Sequence, residues 1–401
     1  MKKTMLIAAL TMAAAPAFAS KARLNALQNA EHISDIQRTF DRPYEAAMYG
    51  EYATVEFGSP TGTPNAEGGF VRQMGEGSYL GLYLGHNPEA LNKVITASQL
   101  TVDQSNAGLK ASAAGSAAVW RSSLEAPLNI FYASKAGDIT WGANLFYLTS
   151  NKKSTSTVVV GDFNNNGNTT DPGEEVSAAN RKANVAGVSF GATAANWEAD
   201  ATVGLMGKDQ FEVSTALGTE IALESNMNLV LRGAYKMDTL YFYGKYSMAG
   251  AKVKVTGAED RKVDLNEAAV GIIDSRKKDG VEFFYGASYV MTNVKGNSLV
   301  GDNKTEVTKL PVIVGVEAEA NSWLVLRGSL TQNLGLLGTT KTTTAGTAGE
   351  SDSLGSTTVA AGAGMKFGKF TVDTTLKAAT TGTIGSDGAN FLGDASLTYL
   401  F

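Results

Sequence analysis

The side chains best placed to do chemistry are carboxylates and guanidiniums set into segments that otherwise alternate between apolar and polar residues. Glu212, Glu220, Arg232, Glu317, Glu319 and Arg327 fall at period-two positions that put them on the polar face of their own segments. Glu198, Asp200, Lys245, Lys366, Asp373 and Lys377 do the same elsewhere. Charges of both signs around a narrow, water-filled passage create a transverse field that orients dipolar solutes and biases ion passage, so they select without making or breaking bonds. Each one alone also reads as an ordinary solvated charge; as a set they read as the lining of a polar lumen.

A second cluster is Asp162-Phe-Asn164-Asn-Asn166-Gly167-Asn168-Thr-Thr-Asp171. Oxygen ligands at alternate positions with a glycine at the bend resemble the start of a calcium loop, which makes Asp162, Asn164, Asn166, Asn168 and Asp171 candidate ligands of a structural calcium ion. Glu174 stands one position late for the closing bidentate ligand, and an Asn/Gly-rich loop tip is the alternative. For catalysis the inventory is poor. There is no Cys, and only His32 and His86 could serve a Ser/His/Asp or Asp/His site. The expectation is therefore no enzymatic role and no zinc, nucleotide or haem; the candidate calcium is the one cofactor.

The elements that would carry these residues are strands. Trp197, Ala199, Ala201, Val203 and Leu205 oppose Glu198, Asp200, Thr202 and Gly204, and the same alternation recurs over 139–147, 240–248 and 370–378. Short connections are expected at Lys135-Ala-Gly-Asp138, Ala195-Asn196, Glu224-Ser-Asn226, Lys278-Asp-Gly280, Asn321-Ser322 and Gly368-Lys369. Longer polar loops are expected over 87–127, 151–182, 297–304, 338–354 and 382–390, the first of them a constriction-forming loop. Short and long connections alternate, as in an up-and-down antiparallel meander. A weak repeat, Leu229-Val-Leu-Arg-Gly233 and Leu324-Val-Leu-Arg-Gly328, marks two such units. The fold class expected is an all-β transmembrane barrel of 16 to 18 strands with a short N-terminal helix. The count is 18 if Lys252 to Thr256 forms a strand of its own, and 16 if that region belongs to a loop.

Both ends of the chain agree with this. Met1-Lys-Lys-Thr, a short apolar run and Ala17-Phe-Ala19 before Ser20 read as a secretory signal peptide, residues 1–19. Residues 20–50 carry Ala22, Leu24, Leu27, Ala30, Ile33 and Ile36 at helical spacing and read as one amphipathic helix. That helix is either a periplasmic lead-in or a plug in the lumen. Residues 51–401 form the barrel. The closing stretch alternates up to Leu397, Tyr399 and Phe401, and resembles the C-terminal signature of bacterial outer-membrane barrels, which implies recognition by the barrel-assembly machinery.

The chain as a whole, from signal peptide to terminal Phe, resembles a Gram-negative outer-membrane porin-like protein, with a lead-in similar to the major outer-membrane protein type of predatory δ-proteobacteria. Asp35 to Pro43 resembles the hatch of the long-chain fatty-acid transporters, with Arg42-Pro43-Tyr44 in place of that family's Asn-Pro-Ala. The resemblance implies passive diffusion of small hydrophilic solutes and ions, outer-membrane lipid as a partner, and a homotrimer. The rivals are a fatty-acid-type transporter with an N-terminal plug and a structural or adhesive barrel. A net charge of -5, no Cys and a mean hydropathy near zero make no case for nucleic acid or disulfides and suit a wall whose two faces average out.

Overall fold

A computed structural model describes residues 20–58, 66–86, 127–154, 158–159, 175–176, 179–213, 220–225, 228–255, 260–298, 301–334, 339–344, 347–352, 357–380 and 392–401. The chain forms a closed antiparallel barrel of sixteen strands. In order they are β1 Tyr52–Phe57, β2 Ala66–Gly75, β3 Ser78–Leu84, β4 Leu128–Ala136, β5 Ile139–Ser154, β6 Ala179–Ala194 and β7 Trp197–Val213. Then come β8 (Glu220–Ser225 and Asn228–Met237), β9 Leu240–Val255, β10 Arg261–Lys278, β11 Val281–Ser298 and β12 Gly301–Asn321. The last four are β13 (Leu324–Leu334 and Thr339–Thr344), β14 (Thr347–Asp352 and Thr357–Phe367), β15 Phe370–Thr380 and β16 Leu392–Leu400. Each strand pairs with the next, and β1 closes the ring on β16 with Tyr52 opposite Leu400 and Phe57 opposite Ala395.

Alternation in sequence becomes alternation in space. Leu205, Val270, Leu376, Leu397 and Phe401 are exposed on the outside of the wall, whereas Thr202, Asp373, Asp394, Ser396 and Thr398 are buried on the inside. An apolar exterior around a closed, edge-free sheet is the face of an outer-membrane barrel, because lipid offers no partner for an open backbone. At one end the connections are tight. Asp279 and Gly280 have φ of 51° and 78°, the left-handed pair that a two-residue hairpin turn requires, and Asp238 takes φ 53° at the next such turn.

The structure corrects three expectations about connections. The chain does not reverse at the expected turn Glu224-Ser-Asn226: Glu224 faces Lys252 and Ser225 faces Ala251, and past the undescribed 226–227 Asn228 faces Gly204, so the two segments of β8 lie in one slot between β7 and β9, and the turn is at Asp238. The 297–304 region is mostly ladder, with Ser298 opposite Gly301, and 338–354 holds a hairpin that prolongs β13 and β14. Lys252 belongs to the long strand β9, which removes the count of 18. In all three places polar, turn-prone residues stay in strands because the ladder of the neighbouring strand continues past them. The long connection over 87–126 lies outside the described residues.

Residues 20–50 are inside the barrel and do not form one helix. A helix, α1 Lys21–Ala26, is followed by two 3-10 turns, Ile36–Phe40 and Pro43–Ala47. Gln28 and Asn29 adopt φ of 56° and 55° and end α1. The helical spacing of apolar residues is taken up by separate seats on the wall. Leu24, Leu27, Ala30 and Ile33 pack on Tyr241, Ile273 and Phe284. Ile36, Ala46 and Ala47 pack on Tyr52, Val71 and Ala133, and Phe40 packs on Tyr83 and Phe131.

Candidate functional site, a charged lumen and its insert

The insert is held by polar contacts as much as by its apolar seats. Ser20 caps α1 by accepting from the Arg23 amide at 3.1 Å, and Asp35 caps the next turn by accepting from the Gln37 amide at 2.9 Å. This leaves Arg23 aimed at the wall. Its guanidinium donates to both oxygens of Glu317 on β12, at 2.8 and 3.1 Å. Arg327 on β13 donates to the same Glu317 at 2.6 Å and to Asp373 on β15 at 2.5 Å, so an Arg-Glu-Arg-Asp chain runs from insert to wall.

On the other side of the lumen, Arg232 of β8 lies 2.8 Å from Glu198 and 2.7 Å from Asp200, both on β7. It also donates to the hydroxyls of Tyr241 at 2.7 Å and Tyr44 at 2.9 Å. Tyr44 comes from the insert, and two glycines make its seat. A Cβ on Gly142 would lie 2.5 Å from the Pro43 carbonyl, and one on Gly191 would lie 2.9 Å from the Tyr44 ring.

Two further contacts complete the ring. Lys21 pairs with Glu67 of β2 at 2.7 Å, and the same carboxylate is 3.1 Å from Nδ1 of His86, whose ring stacks on Phe40. Glu31 pairs with Arg42 within the insert and lies 3.7 Å from Lys245 of β9. His32 packs edge-on to Phe284, with Nε2 3.5 Å from Glu282. Both histidines therefore stand where the insert meets the wall.

Within the insert, Asp35 and Glu45 are close: the Asp35 amide donates to Glu45 at 2.9 Å. Burial pushes both carboxyls up to about 7, against the pull of Arg23 on Asp35 and of Arg42 on Glu45. For Glu31 burial is outweighed by Lys245, Arg42 and Arg38, which hold its carboxyl well below the usual range.

The residues singled out from sequence are thus sorted. Arg232, Arg327 and Glu317 face inward: Arg232 touches Tyr44 and Glu317 touches Arg23 of the insert, and Arg327 joins them through Glu317. Glu319 lies apart at the tight-turn end, 3.7 Å from Lys366 and 43% exposed in its side chain. Glu212 and Glu220 face each other in register across β7 and β8, and their side chains lie outside what is described. The candidate calcium ligands Asp162, Asn164, Asn166, Asn168 and Asp171 also lie outside the described residues. Leu397 and Phe401 are exposed on the outer wall. Tyr399 lies 4.8 Å from Phe370 and 5.3 Å from Phe401, with the Arg72 guanidinium 4.3 Å over the Phe401 ring. Sequence reasoning missed Lys21, Arg23, Tyr44, Glu56 and Glu67. The density of charge in 31–45, excessive for a loosely packed lead-in, was a signal for the segment that holds Tyr44 and none for Lys21, Arg23, Glu56 or Glu67.

No family model matches the chain, and no curated protein matches it. Among solved structures, the toluene transporter TodX of Pseudomonas putida aligns over 95% of this chain and 96% of its own at 9% identity, with a TM-score of 0.38. OmpT, an outer membrane protein of Vibrio cholerae, aligns over 88% of this chain and 96% of its own at 14% identity and a TM-score of 0.33. The monoaromatic hydrocarbon channel CymD aligns over 94% and 96% at 9% identity and 0.38.

Proposed function

We propose that this protein is an outer-membrane channel for small hydrophilic solutes and ions, in which residues 20–50 act as a plug that must yield before the lumen conducts. One observation carries this reading: the cations and phenol of the insert are paired with the charged groups that would line the passage, Arg23 on Glu317, Lys21 on Glu67 and Tyr44 on Arg232. A freely open porin would leave such groups to water, and a purely structural barrel would not need a charged, separately seated insert. Between the apolar seats of the insert the lining carries charged groups of both signs, among them Glu67, Glu317, Arg327, Arg232 and Asp200, which favours hydrophilic cargo over the apolar cargo of a fatty-acid-type transporter. The expected homotrimer and removal of residues 1–19 belong to the same reading.

The test is single-channel conductance of the refolded chain in a planar bilayer, with and without residues 20–50. Silence or rare openings in the longer chain, turning to stepwise ohmic conductance in the shorter one, support the plug. Equal conductance in both returns the assignment to an open porin, and silence in both from a folded barrel points to a structural role.

A further inference from the structure

The place where the insert begins is short of a cation. Ser20 is fully buried, and the next amide along, that of Lys21, donates to Oε2 of Glu56 at 3.0 Å. Glu56 is 2% exposed; its other oxygen accepts from the Gln37 side chain at 2.5 Å. Among the described residues, no Lys, Arg or His nitrogen pairs with it, because Lys21 itself is turned to Glu67. Glu56 belongs to a row. Across three adjacent strands, Ser396 of β16 stands opposite Glu56 of β1 on one side and Asp373 of β15 on the other, all three facing inward and buried. Among the described residues the Ser396 hydroxyl has no hydrogen-bond partner, and the Ser20 side chain is the hydrogen-bonding neighbour of Asp373 beside Arg327. Two buried carboxylates and a hydroxyl thus stand by the start of α1; Arg327 holds one oxygen of Asp373, and Lys21 acts on Glu56 only from a distance because it pairs with Glu67. Buried acceptors left in this state are costly.

We propose that the mature chain begins at Ser20 and that its α-ammonium is the missing cation, donating its three N–H groups to Glu56, Ser396 and Asp373. A backbone amide at Ser20 offers one donor and no charge, whereas hydrolysis of the Ala19–Ser20 bond by water leaves a carboxylate on Ala19 and an amine on Ser20 that takes up a proton. The leader's removal would then do more than release the protein: it would create the ion pair that locks the first turn of the insert to the seam where the barrel closes. This rests on cleavage at Ser20 and on the seat of the insert, not on conduction.

The test begins with intact-mass and N-terminal analysis of the protein purified from outer membranes, which should give Ser20 as the first residue. Reductive 13C-methylation of the folded protein then allows the α-amine to be titrated by NMR. Its pKa should lie about one or more above the ordinary ~7.8, as two facing carboxylates require, and should fall back in Glu56→Gln. A chain refolded with two extra glycines before Ser20 carries its amine roughly 7 Å away and should titrate near the ordinary value, which keeps the comparison available if Glu56→Gln does not fold. A different first residue, or a native α-amine that titrates at or below the ordinary value, overturns the proposal.

Discussion

The two arginines of the lumen wall, Arg232 and Arg327, come from the same Leu-Arg-Gly repeat and end in opposite situations. Arg232 is paired with its own wall, Glu198 and Asp200 on the adjoining strand; the insert touches it only through the neutral Tyr44 hydroxyl, and the charge of Arg42 acts on the two carboxylates without pairing with them. Arg327 shares Glu317 with a cation of the insert, Arg23, while its other hand holds Asp373. Departure of the insert leaves two carboxylates and one guanidinium at each site, but only the second loses a cation in direct contact, Arg23. A repeat in sequence therefore became a permanent brace on one side of the lumen and a latch on the other, and the difference lies in what the insert brings to each.

The largest test of this difference is removal of residues 20–50. The open channel should prefer cations, since Glu317 and Glu67 lose Arg23 and Lys21 of the insert while the Arg232 side keeps its two carboxylates for one guanidinium. A reversal potential in a salt gradient reads this directly, and an anion-selective pore would sink the comparison. Next comes Arg23→Met. Breaking one arm of a buried ion network costs about 3 kcal/mol, so spontaneous openings should rise by roughly 100-fold, at 1.4 kcal/mol per tenfold.

Acidity gives an effect of intermediate size. Asp35 and Glu45 have carboxyls raised to about 7 in the seated insert and ordinary values when it is released. Between about pH 4 and pH 7 the released form loses protons that the seated form keeps, so seating weakens as pH rises through this window. Glu31, held low when seated, acts with the opposite sign near the bottom of this window, where only the released form binds a proton, and adds nothing above about pH 6. Amide exchange of residues 20–50 should accordingly be slower at pH 5 than at pH 8 after correction for the intrinsic rate, and Asp35→Asn should flatten the trend. Tyr44→Phe removes one neutral donor from a site that the wall already satisfies; about 1 kcal/mol makes openings only some fivefold more frequent. Glu319→Gln, at the exposed turn end, should change neither gating nor selectivity, and a clear effect there would show that the field extends beyond the two latches.

Much of the wall was legible because period-two alternation is a local property. Arg232, Glu317, Arg327 and the outward Leu397 and Phe401 follow from counting along one strand against a lumen and a lipid face. The misreadings occurred where local and non-local signals part. Glu224-Ser-Asn226 has turn chemistry, yet the neighbouring strands continue past it and hold Glu224 and Ser225 in the ladder. The apolar spacing of 22–36 suits a helix, but left-handed residues at 28 and 29 and three separate apolar seats divide it.

The sequence by itself determined the alternating wall, its antiparallel meander, the aromatic closing strand and the inward direction of the charged residues, since each is written in the spacing of a single segment. Only the tertiary structure decided that residues 20–50 lie within the lumen, that Arg23 shares Glu317 with Arg327, and that Glu56, Ser396 and Asp373 meet in one row. The long links among them, Arg23 to Glu317 and Glu56 to Ser396, join residues 294 positions or more apart. What brings them together is closure of the ring, which strand periodicity does not encode.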